Sequence, residues 1–95
     1  MHQYYETELD KLGKRVVRRR VEAMFEQGLL DQSGKRLMLE QGEIERFYKV
    51  TGALRDQLVE SRLVRREPRN ESIFYEISHD RLTEVIARHR SPHLP

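Results

Sequence analysis

The chain contains no cysteine. It can therefore form no disulfide framework and present no thiolate nucleophile or ligand, which excludes thiol redox chemistry and fits the reducing cytoplasm, the compartment expected for it. No run of residues approaches the roughly 20 consecutive apolar positions that span a bilayer. The start, Met1-His2-Gln3-Tyr4-Tyr5-Glu6, lacks a basic stretch followed by an apolar one. No membrane contact and no export signal is expected of this segment. Also missing are a Gly-x-x-x-x-Gly-Lys-Ser/Thr phosphate loop and a buried strand ending in paired acids for magnesium. The chain is thus expected not to be an enzyme by itself. No spacing of His, Asp and Glu suggests a metal cage, and no Ser-His-Asp arrangement can be argued in so small a fold. No catalytic or metal-binding residue is assigned.

What is present is a patterned, polar chain. Its 95 residues allow one domain with a single modest core, since a chain of this length buries only about two-thirds of its unfolded surface. The composition is 37% hydrophobic and 36% charged, yet the apolar residues recur at regular intervals, which argues against disorder. Net charge is only +2. The cations nevertheless cluster, at Lys11, Lys14, Arg15, Arg18, Arg19 and Arg20, at Arg62, Arg65, Arg66 and Arg69, and at Arg81, Arg88 and Arg90. Such clusters either collect phosphates and acidic partners or form the solvated faces of helices.

Leu9, Leu12, Val16, Val17, Val21, Met24 and Phe25 recur at three- and four-residue spacing, predicting one stripe of a long helix that ends near Gln27. Gly28 suits a left-handed C-terminal cap. Gly13 inside this helix costs something like 1 kcal/mol, so a break there would leave a lead-in helix or linker over 1–12 and a second helix from Lys14. Asp31-Gln32-Ser33-Gly34 reads as a turn, followed by a short strand from Arg36 to Leu39 and an interruption at Gln41-Gly42. Ile44, Phe47 and Tyr48 make an apolar face on a brief helix from about Glu43. Thr51 is placed to cap a further helix carrying Leu54, Leu58 and Val59. Leu63–Glu67 and Ile73–Ile77 favour strands, joined by a loop at Pro68-Arg69-Asn70-Glu71-Ser72. Ser78 then caps a closing helix over 79–90 with Leu82, Val85 and Ile86 on one stripe, and 91–95 forms a tail.

Helix, helix, two-stranded wing and helix in this order predict an α+β, mainly helical fold: a winged helix-turn-helix with a long N-terminal helix and a wing over 62–78. Tyr4-Tyr5, Arg18-Arg19-Arg20-Val21-Glu22, Gly28-Leu29-Leu30, Ser33-Gly34-Lys35-Arg36 and Ser78-His79-Asp80-Arg81-Leu82 together resemble the winged-helix segment of bacterial STAND-type P-loop NTPases, over nearly the whole chain. In that superfamily the winged helix follows a nucleotide-binding domain in one polypeptide. A Met-His-Asp motif begins its last helix in the NB-ARC members, and Ser78 stands here in place of the methionine.

The resemblance implies a piece of a larger NTPase whose partner is the intramolecular nucleotide-binding domain. It implies a nucleotide-sensing role for Ser78, His79 and Asp80, with no cofactor in isolation and ADP or ATP reached only through the adjacent domain. His79 would meet the β-phosphate of ADP and Asp80 would brace the helix start. An imidazole N–H beside the amides of a helix N-terminus is well suited to an anionic oxygen. Loss of that contact on exchange for ATP would release a closed arrangement of domains, making the segment a signal-transduction module. Without the resemblance, a His followed by Asp at a helix start reads instead as an N-terminal cap with a partly buried histidine.

Two other functions fit the pattern. An autonomous DNA-binding regulator would insert the helix from about Gly52 to Ser61 into the major groove, with Arg55 and Gln57 facing bases and Arg65, Arg66 and Arg69 holding phosphates. That helix would, however, expose Arg55, Asp56, Gln57, Glu60 and Ser61, two of them acids that phosphates repel. A protein-interaction module would instead form a homo-oligomer through the stripe of the first helix or the edge of the wing.

Overall fold

A computed structural model of the chain describes residues 2–90. The expected tail at 91–95 and Met1 lie outside the described residues. The described residues fold as an α+β domain of five α-helices and a three-stranded antiparallel sheet.

The N-terminal helical stretch is broken at Gly13. Helix α1 (His2–Asp10) ends in a turn whose Gly13 has φ +87°, and α2 (Arg15–Ala23) starts from an extended Lys14. A π-helical turn, Met24–Gly28, continues α2, with the Leu29 N–H donating to the Met24 carbonyl at 2.9 Å. The wider turn brings Met24, Phe25, Leu29 and Leu30 all into the core. Gly28 is not a left-handed cap, because its φ is not positive. Its missing side chain is needed for a different reason: a Cβ there would lie 3.0 Å from the Tyr48 ring and 3.1 Å from Leu39. The predicted stripe holds at Leu9, Val21, Met24 and Phe25 but not at Val16, which is 52% exposed.

Asp31 closes the following turn through its carboxylate, which accepts from Ser33 N at 2.8 Å, Ser33 Oγ at 2.8 Å and Lys35 N at 2.9 Å. The amide of Lys35, first among these donors, holds the Asp31 carboxyl below its ordinary pKa. The strand expected at Arg36–Leu39 forms later, as β1 (Leu39–Glu40), because Arg36 makes only an isolated bridge to Leu30. Gln41-Gly42 does not interrupt the chain. Glu40 caps a helix there, accepting from Gly42 N at 2.9 Å while the Glu43 side chain reaches back to Glu40 N, a reciprocal capping box. Helix α3 (Gln41–Glu43) continues as a second π-helical turn, Ile44–Tyr48. Ile44 enters the core whereas Phe47 stays 64% exposed, so the expected apolar face is narrower than its sequence implies.

Thr51 caps α4 (Gly52–Glu60) as anticipated, its Oγ1 accepting from Leu54 N at 3.3 Å. Strands β2 (Val64–Arg69) and β3 (Ser72–Ile77) pair from Val64 opposite Ile77 to Arg69 opposite Ser72. The expected five-residue loop is therefore a two-residue turn. Asn70 (φ +46°) and Glu71 (φ +67°) adopt the left-handed geometry that matches the right-handed twist of a hairpin. Pro68 is tolerated inside β2 because the sheet order β1-β3-β2 leaves β2 at an edge. Helix α5 (Asp80–His89) then packs Leu82, Thr83 and Ile86 inward. Its N-cap is His79, not Ser78.

The buried apolar side chains, from Tyr5 and Leu9 of α1 through Val21, Phe25, Ile44, Leu58 and Ile77 to Leu82 and Ile86, form one cluster. Every helix except the short α3 contributes to it, and Ile44 does so for the turn that continues α3. Burial of this kind is worth about 25 cal/mol per Å² of apolar surface. It is what orders a chain that is more than one-third charged.

Candidate functional site at the start of α5

The polypeptide leaves the sheet at Ile77 and enters α5 three residues later. Ser78 N donates to Leu63 O at 3.1 Å, which ties the exit to the residue just before β2, and the Ser78 hydroxyl is buried with no partner among the described residues. His79 is extended, with φ −134° and ψ 144°. Its carbonyl accepts from Thr83 N at 3.0 Å and Thr83 Oγ1 at 3.2 Å. Its imidazole makes no side-chain cap, so the amides of the first turn of α5 are left open to another acceptor. The side chain itself points to the exposed surface. This differs from the partly buried cap that His followed by Asp would also suit.

Asp80, the first residue of α5, forms an ion pair with a residue that the sequence offers only as the beginning of a strand. Arg36 lies 3.0 Å from Asp80 Oδ1 through one nitrogen and donates to Ile77 O at 3.0 Å through the other. One guanidinium thus joins the end of β3 to the first turn of α5. The acid also suits the positive end of that helix dipole.

Beside His79 and Ser78 lies an open concavity of about 410 Å³, floored by Val59 and Val64 and rimmed by Arg62, Arg65 and Arg66. The three arginines are not equivalent. Arg65 places Nε 3.1 Å and Nη2 2.8 Å from Glu76 Oε2. Arg66 reaches Asp56 at 2.6 Å and stands 5.8 Å from the Tyr75 ring centroid. Each of these charges is matched by a carboxylate. Arg62, exposed and held in a left-handed conformation at φ +65°, has no ion-pair partner among the described residues. The rim therefore offers one unmatched cation and one exposed imidazole. This arrangement can accept an anionic oxygen brought by another surface.

The residues expected to read DNA are separated by the fold. Arg55 is 7% exposed. It ion-pairs with Glu45 at 2.7 Å and donates to Val50 O at 3.1 Å and the Tyr75 hydroxyl at 3.3 Å. It cannot face a base edge. Its inward position follows from the helix itself, since Arg55 lies three residues before the core residue Leu58 and its long stem spans apolar surface while the head meets Glu45. Gln57 is exposed, beside Asp56 and Glu60, while Ser61 is half-buried. Arg69 sits at the end of β2 beside the hairpin turn.

No family model, curated protein or solved structure matches the chain. Among the described residues no helix is long and apolar enough to cross a membrane.

Proposed function

We propose that this chain is a winged-helix regulatory module of a STAND-type NTPase, in which His79 reports whether the neighbouring nucleotide-binding domain holds ADP or ATP. In this reading α3 and α4 form the helix-turn-helix pair, β2 and β3 the wing and α5 the closing helix. The observation that carries it is the state of His79, exposed, without a capping bond, at an open helix N-terminus and on the rim that holds the unmatched Arg62. A phosphate oxygen presented there by an adjacent domain would meet the imidazole N–H and free backbone amides together. Asp80 and Arg36 keep the helix start in place while the contact forms and breaks.

The test is the rate of ADP release from the whole polypeptide carrying this segment. A hydrogen bond to a charged group contributes about 1.5 to 3 kcal/mol, so His79→Ala should speed release by about 10- to 100-fold. His79→Gln, which keeps a donor, should recover part of the effect. Unchanged release in both variants would reject the sensor role. The isolated segment should show no measurable ADP affinity by calorimetry.

The alternative of DNA reading by α4 draws less support. The helix turns Arg55 inward and leaves Asp56, Gln57 and Glu60 outward, and the hairpin arginines Arg65 and Arg66 are already neutralised.

A further inference from the structure

Some arginines and lysines of this chain are held by its own carboxylates and others stand exposed without an ion pair among the described residues, Arg62 and Arg69 among the latter. Arg18, Arg36, Arg55, Arg65 and Arg66 are each ion-paired with a carboxylate of the chain. Arg15, Arg19 and Arg20 of α2, together with Lys49, are exposed and make no ion pair among the described residues. These four fall in two pairs, each lining one cavity. Arg15 and Arg19 stand one helical turn apart, about 6 Å along the axis at 1.5 Å per residue, and line a cavity of about 480 Å³ on one flank of α2. Arg20 and Lys49 line a second cavity of about 420 Å³ on another flank, where Thr51 and Gly52 open α4.

Glu22, the acid within α2, accepts from Arg18 Nε at 3.4 Å, and Glu45 at the second cavity is taken by Arg55 at 2.7 Å. Val16 is exposed between Arg15 and Arg19.

We propose that the outer face of α2, with Lys49 at its edge, binds the phosphodiester backbone of a nucleic acid without reading its sequence. Charge and composition decide the partner. Interfaces with nucleic acid are strongly positive and polar, whereas the core of a protein–protein interface is depleted in charge and enriched in aromatic residues. On α2 the exposed stripe is three arginines around one valine. Guanidinium forks suit phosphate geometry in particular. The face lies apart from His79 and its cavity, and the proposal does not depend on the nucleotide-sensing reading.

The experiment is fluorescence anisotropy of labelled random-sequence DNA, as duplex and as single strand, titrated with the chain at several salt concentrations. Four phosphate contacts predict a slope of log affinity against log salt of about −3.6 for duplex and about −2.8 for single strand. The form that binds tighter identifies the source of the backbone. Arg19→Gln with Arg20→Gln should flatten the duplex slope by about 2, while Arg65→Gln with Arg66→Gln should leave it unchanged. Should the α2 variant fail to fold by circular dichroism, Arg15→Gln with Lys49→Asn makes the same test.

Three outcomes would overturn the proposal: no binding of either DNA at low salt and micromolar chain, a slope that falls with the hairpin variant and not the α2 variant, or competition by polyglutamate as strong as by unlabelled DNA. The last would make the partner an acidic polypeptide.

Discussion

Arg55 and Tyr75 meet inside the domain, the guanidinium Nε 3.3 Å from the phenolic oxygen and Cζ 5.5 Å from the ring centroid. The contact ties α4 to the central strand β3. Because Arg55 also satisfies Val50 O and pairs with Glu45, its removal strands several polar groups at once. Arg55→Ala should destabilise the fold by about 2 to 4 kcal/mol, read from urea unfolding. Arg55→Lys should recover only part, because an ammonium cannot serve three directions with a planar fork. A loss within 0.5 kcal/mol, about the effect of a surface substitution, would mean that the buried position is unimportant.

Glu71 holds φ +67° in the two-residue turn between β2 and β3. A left-handed conformation costs a residue with a Cβ roughly 1 to 2 kcal/mol, and glycine escapes it. Glu71→Gly should therefore raise stability by about 0.5 to 1 kcal/mol with the denaturant slope unchanged, once the greater freedom of glycine in the unfolded chain is subtracted. A lower unfolding midpoint would show that Glu71 has another role in the turn.

Glu40 accepts from Ser72 Oγ at 2.6 Å and Gly42 N at 2.9 Å. The Ser72 bond is the leading reason that its carboxyl sits below the usual glutamate range. A folded pKa below the unfolded one stabilises fully above the unfolded value, about 4.3, and the contribution is lost as pH falls through the folded value. Asp31 acts with the same sign. Glu26, raised mainly by burial, acts with the opposite sign on the upper side of the carboxylate range. Thermal melts from pH 6 downward should show a shallower acid limb for Glu40→Gln than for the parent chain. Identical limbs would remove Glu40 from the account.

Among the described residues the His79 side chain makes no hydrogen bond or ion pair. His79→Ala should leave stability within about 0.5 kcal/mol of the parent, so any effect on nucleotide release would be separable from unfolding. Asp80→Ala breaks the Arg36 bridge across the end of β3. With Asp80 87% exposed, that bridge should be worth no more than about 1 kcal/mol.

Much of the architecture was legible because periodicity is a local signal. Thr51 before Leu54 and Leu58, the β-favouring run Ile73–Ile77, and Leu82, Val85 and Ile86 each declare an element within one or two turns of chain. The boundaries were less legible where a capping or turn residue has two uses. Glu40 could not be seen as a cap until Glu43 and Gly42 closed on it, and Pro68 reads as a loop until β2 is known to be an edge strand.

The candidate site divides in the same way. Its order along the chain, a strand, Ser78-His79-Asp80 and an amphipathic helix, is written in the sequence. Arg62 is visible there only as one cation in a basic cluster, and Arg36 only as the start of a strand. Their roles depend on bringing together segments up to 44 residues apart in number, Arg36 and Asp80.

The sequence by itself determined most of the helices, the two hairpin strands and the apolar stripe of α5, since these follow from spacing and backbone preference within a few residues. Only the tertiary structure decided which charges are spent internally. Arg55 and Arg20 are alike on paper, but packing carries one to Glu45 and Tyr75 and leaves the other in solvent. Ion pairing acts through space over a few ångströms, and the partners are set by how the helices and hairpin close on one core.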